Sequence, residues 1–215
     1  MEKEKKLNLI ILGDKGVGKT SIFNIIKERA LNEGNNDIND LNDIDCFNIK
    51  RKYDKRNIVI SLNIKDIKNQ DNFKGNPPIQ YIRDNHIVLL VCSDIETLNS
   101  IKEHWYKYYK DNTNIENSRY ILIGNKSDIF GDKRDEIIKQ GNIFAEEIDA
   151  QFITCSVESK DNMDNVERYI VTEAKRFIEE EEKKLENNNN NNLKLEKEDE
   201  DENNSNKSKC CSLIC

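Results

Sequence analysis

The most constraining feature of this sequence is an eight-residue motif that directly follows a short apolar run. Residues 9–12 are Leu-Ile-Ile-Leu, and the motif after them reads Gly13-Asp14-Lys15-Gly16-Val17-Gly18-Lys19-Thr20, with the spacing G-x-x-x-x-G-K-T. Glycines at this spacing let the backbone curl so that several N–H groups point at one anion, and a helix starting near Gly18 adds the positive end of its dipole. The motif therefore predicts a phosphate-binding loop between a strand and a helix.

The end of the motif supplies the charged and polar groups that such a loop needs. Lys19 places a positive charge between the outer phosphates of a nucleotide, and the Thr20 hydroxyl is suited to ligate Mg²⁺. A glycine-rich turn with a purely structural role explains the three glycines, but it does not explain Lys19 and Thr20 as well. The predicted nucleotide site comprises the whole motif and the following Ser21.

Apolar runs of strand length alternate with segments of helical spacing along the chain. The runs are 7–12, 58–64, 87–91, 120–123 and 152–155, and the helical segments are 20–30, 98–110, 134–148 and 163–178. Unbroken apolar runs are typical of strands in a parallel sheet that is buried on both faces. The pattern predicts a doubly wound α/β domain with a mostly parallel sheet, to which residues 46–53 add one antiparallel edge strand. Such folds bind ligands at the carboxyl ends of their strands.

Composition limits the partners and the compartment. The 215 residues carry a net charge of −7, so no broad basic surface is available for a nucleic acid. No apolar stretch approaches the roughly 20 residues of a membrane-spanning helix, which predicts a cytosolic protein. We expect one domain over residues 1–178 and a disordered tail over 179–215, which is rich in Glu, Lys and Asn and into which the last helix continues for a few residues at most. Cys46, Cys92 and Cys155 stand singly in apolar segments and are expected to be buried free thiols.

A second polar motif, Asn125-Lys126-Ser127-Asp128, follows the predicted strand at 120–123. Asp128 can accept both donors on the Watson–Crick edge of guanine, whereas adenine would face the carboxylate with an acceptor. Asn125 would connect this loop to the phosphate-binding loop, and the alkyl stem of Lys126 would cover the base plane. The two motifs together predict a site for GTP and GDP.

With these motifs the chain resembles the Ras superfamily and, within it, is most similar to the Rab family. The resemblance extends over residues 7–178 and includes Thr154-Cys155-Ser156-Val157-Glu158, which matches the last guanine-contacting loop of the family. It implies that Ser156 braces that loop and that the Val157 N–H meets the guanine carbonyl. Glu158 stands where the family usually has lysine. Trp105 falls where Rab proteins often carry a tryptophan, and we interpret it as a core residue.

The segment Asp66-Ile67-Lys68-Asn69-Gln70-Asp71-Asn72-Phe73 resembles the D-T-A-G-Q-E-R-F motif of the family. Asp66 continues the alternating face of the strand before it and is placed to hold a magnesium-bound water. The resemblance implies that Gln70 orients the attacking water. Asn69 replaces a glycine whose N–H meets the γ-phosphate, although asparagine tolerates unusual backbone angles well. A polar turn after a strand is the alternative interpretation.

Two further departures concern hydrolysis and metal binding. Lys15 stands where the superfamily usually has glycine, and its long cationic side chain would either crowd out an assisting arginine or add its own charge; we favour slow hydrolysis. No threonine or serine lies between Ser21 and Ser61, so the usual hydroxyl ligand is missing and Asn42 occupies its position. Asn42, Asp43 or Asp40 could offer an oxygen to Mg²⁺ instead, although a carboxylate beside phosphates would be repelled unless the metal bridged them. An aromatic residue that would stack on the base is replaced by Leu31.

The chain ends Cys210-Cys211-Ser212-Leu213-Ile214-Cys215, which is not a C-a-a-X box. The adjacent Cys210 and Cys211 resemble the double-cysteine ends of Rab proteins. The resemblance implies geranylgeranylation through a Rab-type escort protein and transferase, and further implies a GDI, an exchange factor, a GAP and effectors. The acidic residues of the tail outnumber the basic ones, so no basic patch could strengthen a single-lipid anchor on an anionic membrane. This composition agrees with an anchor of two lipids. An unmodified thiol-rich end is the alternative.

The sequence thus predicts a monomeric Rab-like small GTPase that is anchored by prenyl groups to the cytoplasmic face of a membrane, with a cytosolic pool. The main alternative is a nucleotide-binding interaction module with little or no GTPase activity, because Lys15, Asn69 and the missing hydroxyl all affect hydrolysis. A more remote alternative, an ATP-dependent P-loop enzyme, is opposed by the guanine-type motif at residues 125–128.

Overall fold

The computed structural model describes residues 3–32, 38–41, 44–53, 58–67 and 76–210. Within them the strands are β1 Lys3–Leu12, β2 Ile38–Leu41, β3 Ile44–Tyr53, β4 Ile58–Ile67, β5 Ile87–Cys92, β6 Arg119–Gly124 and β7 Gln151–Thr154. The α-helices are α1 Lys19–Asn32, α2 Ile79–Ile82, α3 Ile95–Ser100, α4 Tyr106–Asn112, α5 Arg134–Glu147 and α6 Met163–Cys210. A π-helical segment, Ile101–Trp105, joins α3 to α4, and two short 3₁₀ turns precede α5.

All the described strands form one sheet in the order β2-β3-β4-β1-β5-β6-β7. β1 pairs in parallel with both β4 and β5, and β6 and β7 continue the parallel part. Strands β5 and β6 are buried along their whole length, because helices cover both faces of a doubly wound sheet. The predicted fold class, a mostly parallel doubly wound α/β domain, is confirmed.

The antiparallel part of the sheet has one strand more than the sequence pattern indicates. β3 pairs antiparallel with β4, as the predicted hairpin requires, but β2 pairs with the outer side of β3. β3 is therefore the strand of opposite direction without being the edge. The short β2 pairs with backbone N–H and C=O groups of β3 that would stay unpaired if β3 were the edge strand.

The core contains the three internal cysteines as free thiols, as predicted. Cys46, Cys92 and Cys155 are all buried. A large cluster on one face of the sheet packs side chains of β5 and β6 against the helix formed by α3, the π-helical segment and α4, with Trp105 and Tyr109 as its bulkiest helical members. This packing holds the helix next to the carboxyl ends of β1 and β5.

The chain divides into a first unit, Met1–Phe177, and a second unit that begins at Ile178. α6 starts in the first unit and ends at Cys210, far beyond the helix end at residue 178 that the spacing predicts. Glu and Lys favour helix even without packing, and Lys184 pairs with Glu181 one turn away. Helix therefore occurs where composition predicts an unstructured tail, and the domain division at residue 178 stays a prediction. None of the described helices combines the length and the apolar character needed to cross a membrane.

Candidate nucleotide-binding site

The phosphate-binding loop connects the end of β1 to the start of α1 and requires glycine at two close approaches. Gly13 has a φ of 148°, and a Cβ there would lie 2.2 Å from the Val91 carbonyl oxygen. Gly18 has a φ of 96°, and a Cβ there would lie 2.2 Å from Asn125 Nδ2. Both positions exclude a side chain by backbone conformation and by contact. The loop is thereby pressed against the neighbouring strand and against the Asn125 loop.

The Lys19 ammonium lies over this loop. Its Nζ donates to the carbonyl oxygens of Gly13 at 2.9 Å and Asp14 at 2.7 Å. Lys19 is also the first residue of α1, so its charge coincides with the positive end of the helix dipole. The arrangement places an ammonium and the N-terminus of a helix at a curled loop, which suits an anion with several oxygens.

Thr20 and Asp66 bring two hard oxygen donors together. The Thr20 hydroxyl donates to Asp66 Oδ2 at 2.6 Å, and the Asp66 carboxyl is fully buried. Asp66 lies within β4 rather than just beyond it, and β4 pairs directly with β1. Mg²⁺ prefers a small number of oxygen ligands together with phosphates and water. The Thr20 hydroxyl and the Asp66 carboxylate fit that requirement and could hold such an ion.

Asn125 connects three segments of the site. Its side chain is 2% exposed, and its Nδ2 donates to the Val17 carbonyl oxygen at 2.8 Å. Its Oδ1 accepts from the Val157 backbone N–H at 3.3 Å and from the Cys155 thiol at 3.8 Å. One amide thus fixes the phosphate-binding loop, the loop after β6 and the loop after β7 relative to one another.

Between these loops lies a cavity of about 190 Å³, below the roughly 300 Å³ of pockets for drug-sized ligands and suited to a single base. Its lining includes all five residues that the sequence places around the base, Asn125, Lys126, Asp128, Ser156 and Val157. Gly18, Ser21, Ile129 and Glu158 complete it. Ser156 is fully buried and its Oγ accepts from the Ser159 N–H, which braces the loop. The cavity therefore combines a carboxylate acceptor, a lysine stem and backbone donors.

Three features of this cavity were not predicted from the sequence. Ile129 is 70% exposed and supplies an apolar wall directly after the polar motif. The Val157 N–H, which the resemblance assigns to the guanine carbonyl, donates to Asn125 Oδ1 instead. The distance of 3.3 Å is long for a hydrogen bond of this kind. A base carbonyl would share or replace that weak hydrogen bond. Lys126 adopts a left-handed conformation, with a φ of 62°, at the turn out of β6.

Two thiols next to the base-binding loops stay neutral. Burial raises the pKa of Cys92 to about 12, and the nearby Asp94 adds to the effect. Burial, together with Asp161, likewise raises the pKa of Cys155 to about 12. Thiols with such pKa values are poor nucleophiles near neutral pH. The chemistry of the site therefore belongs to its carboxylates, lysines and backbone amides.

Asp14 has a role that the motif does not reveal. Its Oδ1 accepts hydrogen bonds from the Ser100 hydroxyl at 2.8 Å and from Trp105 Nε1 at 2.7 Å. Trp105 is 4% exposed, in agreement with its interpretation as a core residue. A buried indole N–H requires a hydrogen-bond acceptor. This requirement is the signal in the sequence that could have predicted an acceptor for Trp105.

The remaining predicted residues are placed as follows. Lys15 and Glu158 are exposed, and Leu31 lies in the last turn of α1. Cys210 is the last residue of α6. Asn42, Asn69, Gln70 and Cys211 lie outside the described residues. The structure thus brings together the phosphate-binding loop, Asp66 and the base-binding loops.

Fold and site together define a nucleotide-binding protein of the phosphate-binding-loop class. The Ras family model matches residues 8–176, and the chain belongs to this family of small GTPases. It is similar to the Ras-related protein Rab-5B of Plasmodium falciparum (isolate 3D7), with 25% identity over 164 residues that cover 75% of this chain and 74% of the relative. It is also similar to the Ras-related protein RABG1 of Arabidopsis thaliana, with 30% identity over 145 residues, 65% of this chain and 67% of the relative. The predicted Rab-like character is confirmed.

Proposed function

We propose that this small GTPase binds GTP and GDP with Mg²⁺ and acts as a membrane-anchored switch in vesicle traffic, with slow intrinsic hydrolysis. The observation that carries the proposal is the Asn125 side chain, which joins the loop that would hold the base to the loop that would hold the phosphates. A nucleotide bound across both loops would contact residues from four strand ends. The similarity to Rab-5B and RABG1 supports the assignment to traffic.

Each part of the nucleotide has a suitable group. The Lys19 ammonium, which lies on two loop carbonyls, would transfer to the outer phosphate oxygens, to which a lysine binds more strongly than to a neutral carbonyl. Thr20 and Asp66 would hold Mg²⁺, which neutralises phosphate charge when it is bound. Asp128 would accept the two donors of the guanine edge. Lys126 and Ile129 would cover the base plane.

Base selectivity tests the proposal directly. Asp128→Asn should weaken GDP binding by roughly 10- to 100-fold, because the base loses hydrogen bonds to a charged acceptor. The same change should shift preference toward the xanthine nucleotide, whose base presents an acceptor to the new amide. Glu158→Gln is the matched control, since it removes another carboxylate from the same cavity. The proposal is wrong if Asp128→Asn retains the guanine preference of the wild type in competitive binding.

The rate of hydrolysis separates the proposal from its alternative. Lys15 is an exposed cation in the phosphate-binding loop, where it would impede an assisting arginine. Single-turnover hydrolysis of bound GTP should be slow in the wild type, faster in Lys15→Ser and slower still in Gln70→Leu. A wild type as slow as Gln70→Leu would instead favour a nucleotide-binding interaction module.

The membrane anchor is proposed to be geranylgeranyl groups on Cys210 and Cys211. Two adjacent cysteines in a tail without excess basic residues support it, since one lipid alone gives only marginal binding. An escort protein, a Rab-type transferase, a GDI, an exchange factor, a GAP and effectors would complete the cycle. If the Cys210→Ser/Cys211→Ser double variant still partitions into membranes in cell fractionation, the lipid assignment fails.

A further inference from the structure

A second cavity lies between the sheet and two helices, α1 and α6. Its volume is about 410 Å³, more than twice the 190 Å³ of the base-binding cavity, and it falls within the roughly 300–1,000 Å³ that is typical of small-molecule sites. The two cavities share no lining residue, and every residue that lines the second one belongs to the first unit of the chain. The second cavity therefore needs a ligand of its own.

The floor of this cavity is aliphatic. It consists of four residues that are each at most 5% exposed: Ile26 of α1, Ile49 of β3, Leu62 of β4 and Ile170 of α6. The lining supplied by the described residues includes no aromatic ring, on which a planar ligand would stack. Thr172 is the only uncharged polar residue of that lining, and its hydroxyl donates to the Arg168 carbonyl oxygen of its own helix at 2.8 Å. This floor suits an aliphatic chain.

The lining also extends along α6, as a chain-shaped ligand requires. Asp164, Arg168, Val171 and Lys175 follow one another at intervals of three or four residues, which places them on one face of the helix. At a rise of 1.5 Å per residue, this face is about 16 Å long. The volume of the cavity equals that of roughly 14 water molecules at about 30 Å³ each, and a methylene group occupies a similar space. One acyl chain of moderate length therefore fits.

The charged residues at the mouth favour an anion. The two carboxylates there, Asp164 and Glu167, both pair with Arg29 of α1. Arg168 and Lys175 add two further cations on the same side of α6. Cations therefore outnumber carboxylates at this mouth, although the whole chain has a net charge of −7. A local excess of one sign of charge attracts a ligand of the opposite sign.

We propose that this cavity binds a single-chain amphiphile with an anionic head, of which a fatty acid is the simplest example. The chain would lie on the aliphatic floor, where each methylene group that leaves water contributes to binding. The head would lie between Arg168 and Lys175, which can donate charge-assisted hydrogen bonds to it. The inference goes beyond the proposed nucleotide binding and does not depend on it, because the two cavities are separate.

Titration of the full chain with cis-parinaric acid, a fatty acid that fluoresces in apolar surroundings, tests the site. The probe should bind saturably, and laurate should displace it. Val171→Trp fills the cavity from a half-buried position and should weaken probe binding at least tenfold. Ile143→Trp is the matched control, because it adds the same bulk at a 43% exposed position of α5 outside the cavity. Wild-type affinity in a folded Val171→Trp protein would overturn the inference.

The anionic head is tested with two ligands of the same chain length. Laurate should bind about tenfold more tightly than the uncharged dodecanol, and Arg168→Ala/Lys175→Ala should abolish this difference by removing the donors. Arg176→Ala, next to Lys175 but outside the lining, should retain it. A double variant that still prefers laurate would refute the role of the two cations. Binding of dodecyl phosphate more tightly than laurate would support the site and assign it to a lysophospholipid rather than to a fatty acid.

A measurement on the wild type is independent of any effect of substitutions on folding. Stearate that carries a nitroxide near the end of its chain should broaden the methyl resonances of Ile26, Ile49 and Ile170, which line the cavity. Ile153 lies in β7 at the far edge of the sheet and should keep its signal intensity. Unchanged resonances of the three floor residues, or equal broadening of Ile153, would overturn the inference.

Discussion

At the scale of single residues, the thiols of Cys92 and Cys155 show how the sheet supports the base-binding loops without taking part in their chemistry. The Cys92 thiol donates to the Ile123 carbonyl oxygen at 3.4 Å, and its own carbonyl oxygen accepts from the Asn125 N–H. The Cys155 thiol donates to Asn125 Oδ1 at 3.8 Å. Both side chains are fully buried. The Cys155 thiol thus contacts the Asn125 side chain, and Cys92 contacts the Asn125 backbone through its carbonyl oxygen.

The raised pKa values of these two thiols predict that the protein loses stability at alkaline pH. Each has a pKa of about 12 in the folded protein against an ordinary value of 9.0, so between these values the unfolded chain releases protons that the folded chain retains. The stabilising contribution is therefore complete below about pH 9 and decreases as pH rises toward 12, by up to about 1.4 kcal/mol per pH unit for each thiol.

Thermal unfolding followed by circular dichroism from pH 8 to pH 10.5 measures this loss. The Cys92→Ala/Cys155→Ala variant should melt at a lower temperature at pH 8 but lose less stability over the range than the wild type. Parallel decreases in the two proteins would contradict the assignment, because the remaining alkaline titration is common to both.

At the scale of elements, the start of α3 depends on a reciprocal cap. Asp94 Oδ1 accepts from the Thr97 N–H at 2.8 Å, and Thr97 Oγ1 accepts from the Asp94 N–H at 3.1 Å. Burial acts to raise the pKa of Asp94, but hydrogen bonds from the Thr97 N–H and hydroxyl and from Ser93, with the charge of Lys126, outweigh it, and the pKa is lowered. The cap thus favours the ionised carboxylate.

Asp94→Ala should lower the free energy of unfolding at pH 7 by about 1 kcal/mol, as for other lost caps. Because the folded pKa is depressed, the charge-dependent part of this contribution is present above the unfolded pKa of about 3.9 and is lost as pH falls through the lower folded value. Urea unfolding at pH 7 and at pH 3 should therefore show a smaller difference between wild type and variant at the acidic pH. Asp132→Ala, an exposed carboxylate in a 3₁₀ turn, should change stability by less than about 0.5 kcal/mol.

The elements that the sequence predicts are those whose burial is visible in local composition. β5 and β6 are buried on both faces and therefore appear as continuous apolar runs. β2 does not appear, because its pairing with β3 depends on a neighbouring edge rather than on its own residues. The π-helical segment is equally invisible, since its register depends on a packed environment that includes the Asp14 contact far away in sequence.

The residues of the site also divide into those that local sequence predicts and those that it does not. The phosphate-binding loop and the base motif are continuous in sequence, and the structure places Lys19, Thr20 and Asn125 close together without any long-range information being needed to name them. The contact of Asp14 with Ser100 and Trp105, and the apolar wall formed by Ile129, depend on which surfaces meet after folding. A single sequence gives no signal for such pairings apart from the unsatisfied donor of a buried indole.

At the scale of the whole molecule, a buried ion pair connects the sheet to α6 within the first unit. Arg119, at the start of β6, donates from Nε to Glu173 Oε2 at 2.8 Å and from Nη1 to Asp149 Oδ2 at 3.1 Å. Arg119 is 7% exposed and Glu173 is 5% exposed, whereas the side chain of Arg176, which also bonds to Asp149, is 46% exposed. The pair lies at the opposite end of β6 from the Asn125 loop.

Removal of one partner should therefore affect stability without affecting the nucleotide site. Glu173→Ala leaves the Arg119 charge buried with less compensation and should lower the free energy of unfolding by about 3–5 kcal/mol in urea titration. Arg176→Ala, which removes an exposed cation from the same cluster, should cost less than about 1 kcal/mol. Under conditions where both variants are folded, GDP should dissociate from them at the wild-type rate. The ion pair lies at the start of β6, whereas the geometry of Asn125 depends on the other end of that strand. A faster dissociation in Glu173→Ala would instead mean that the ion pair and the base-binding loop are coupled along the strand.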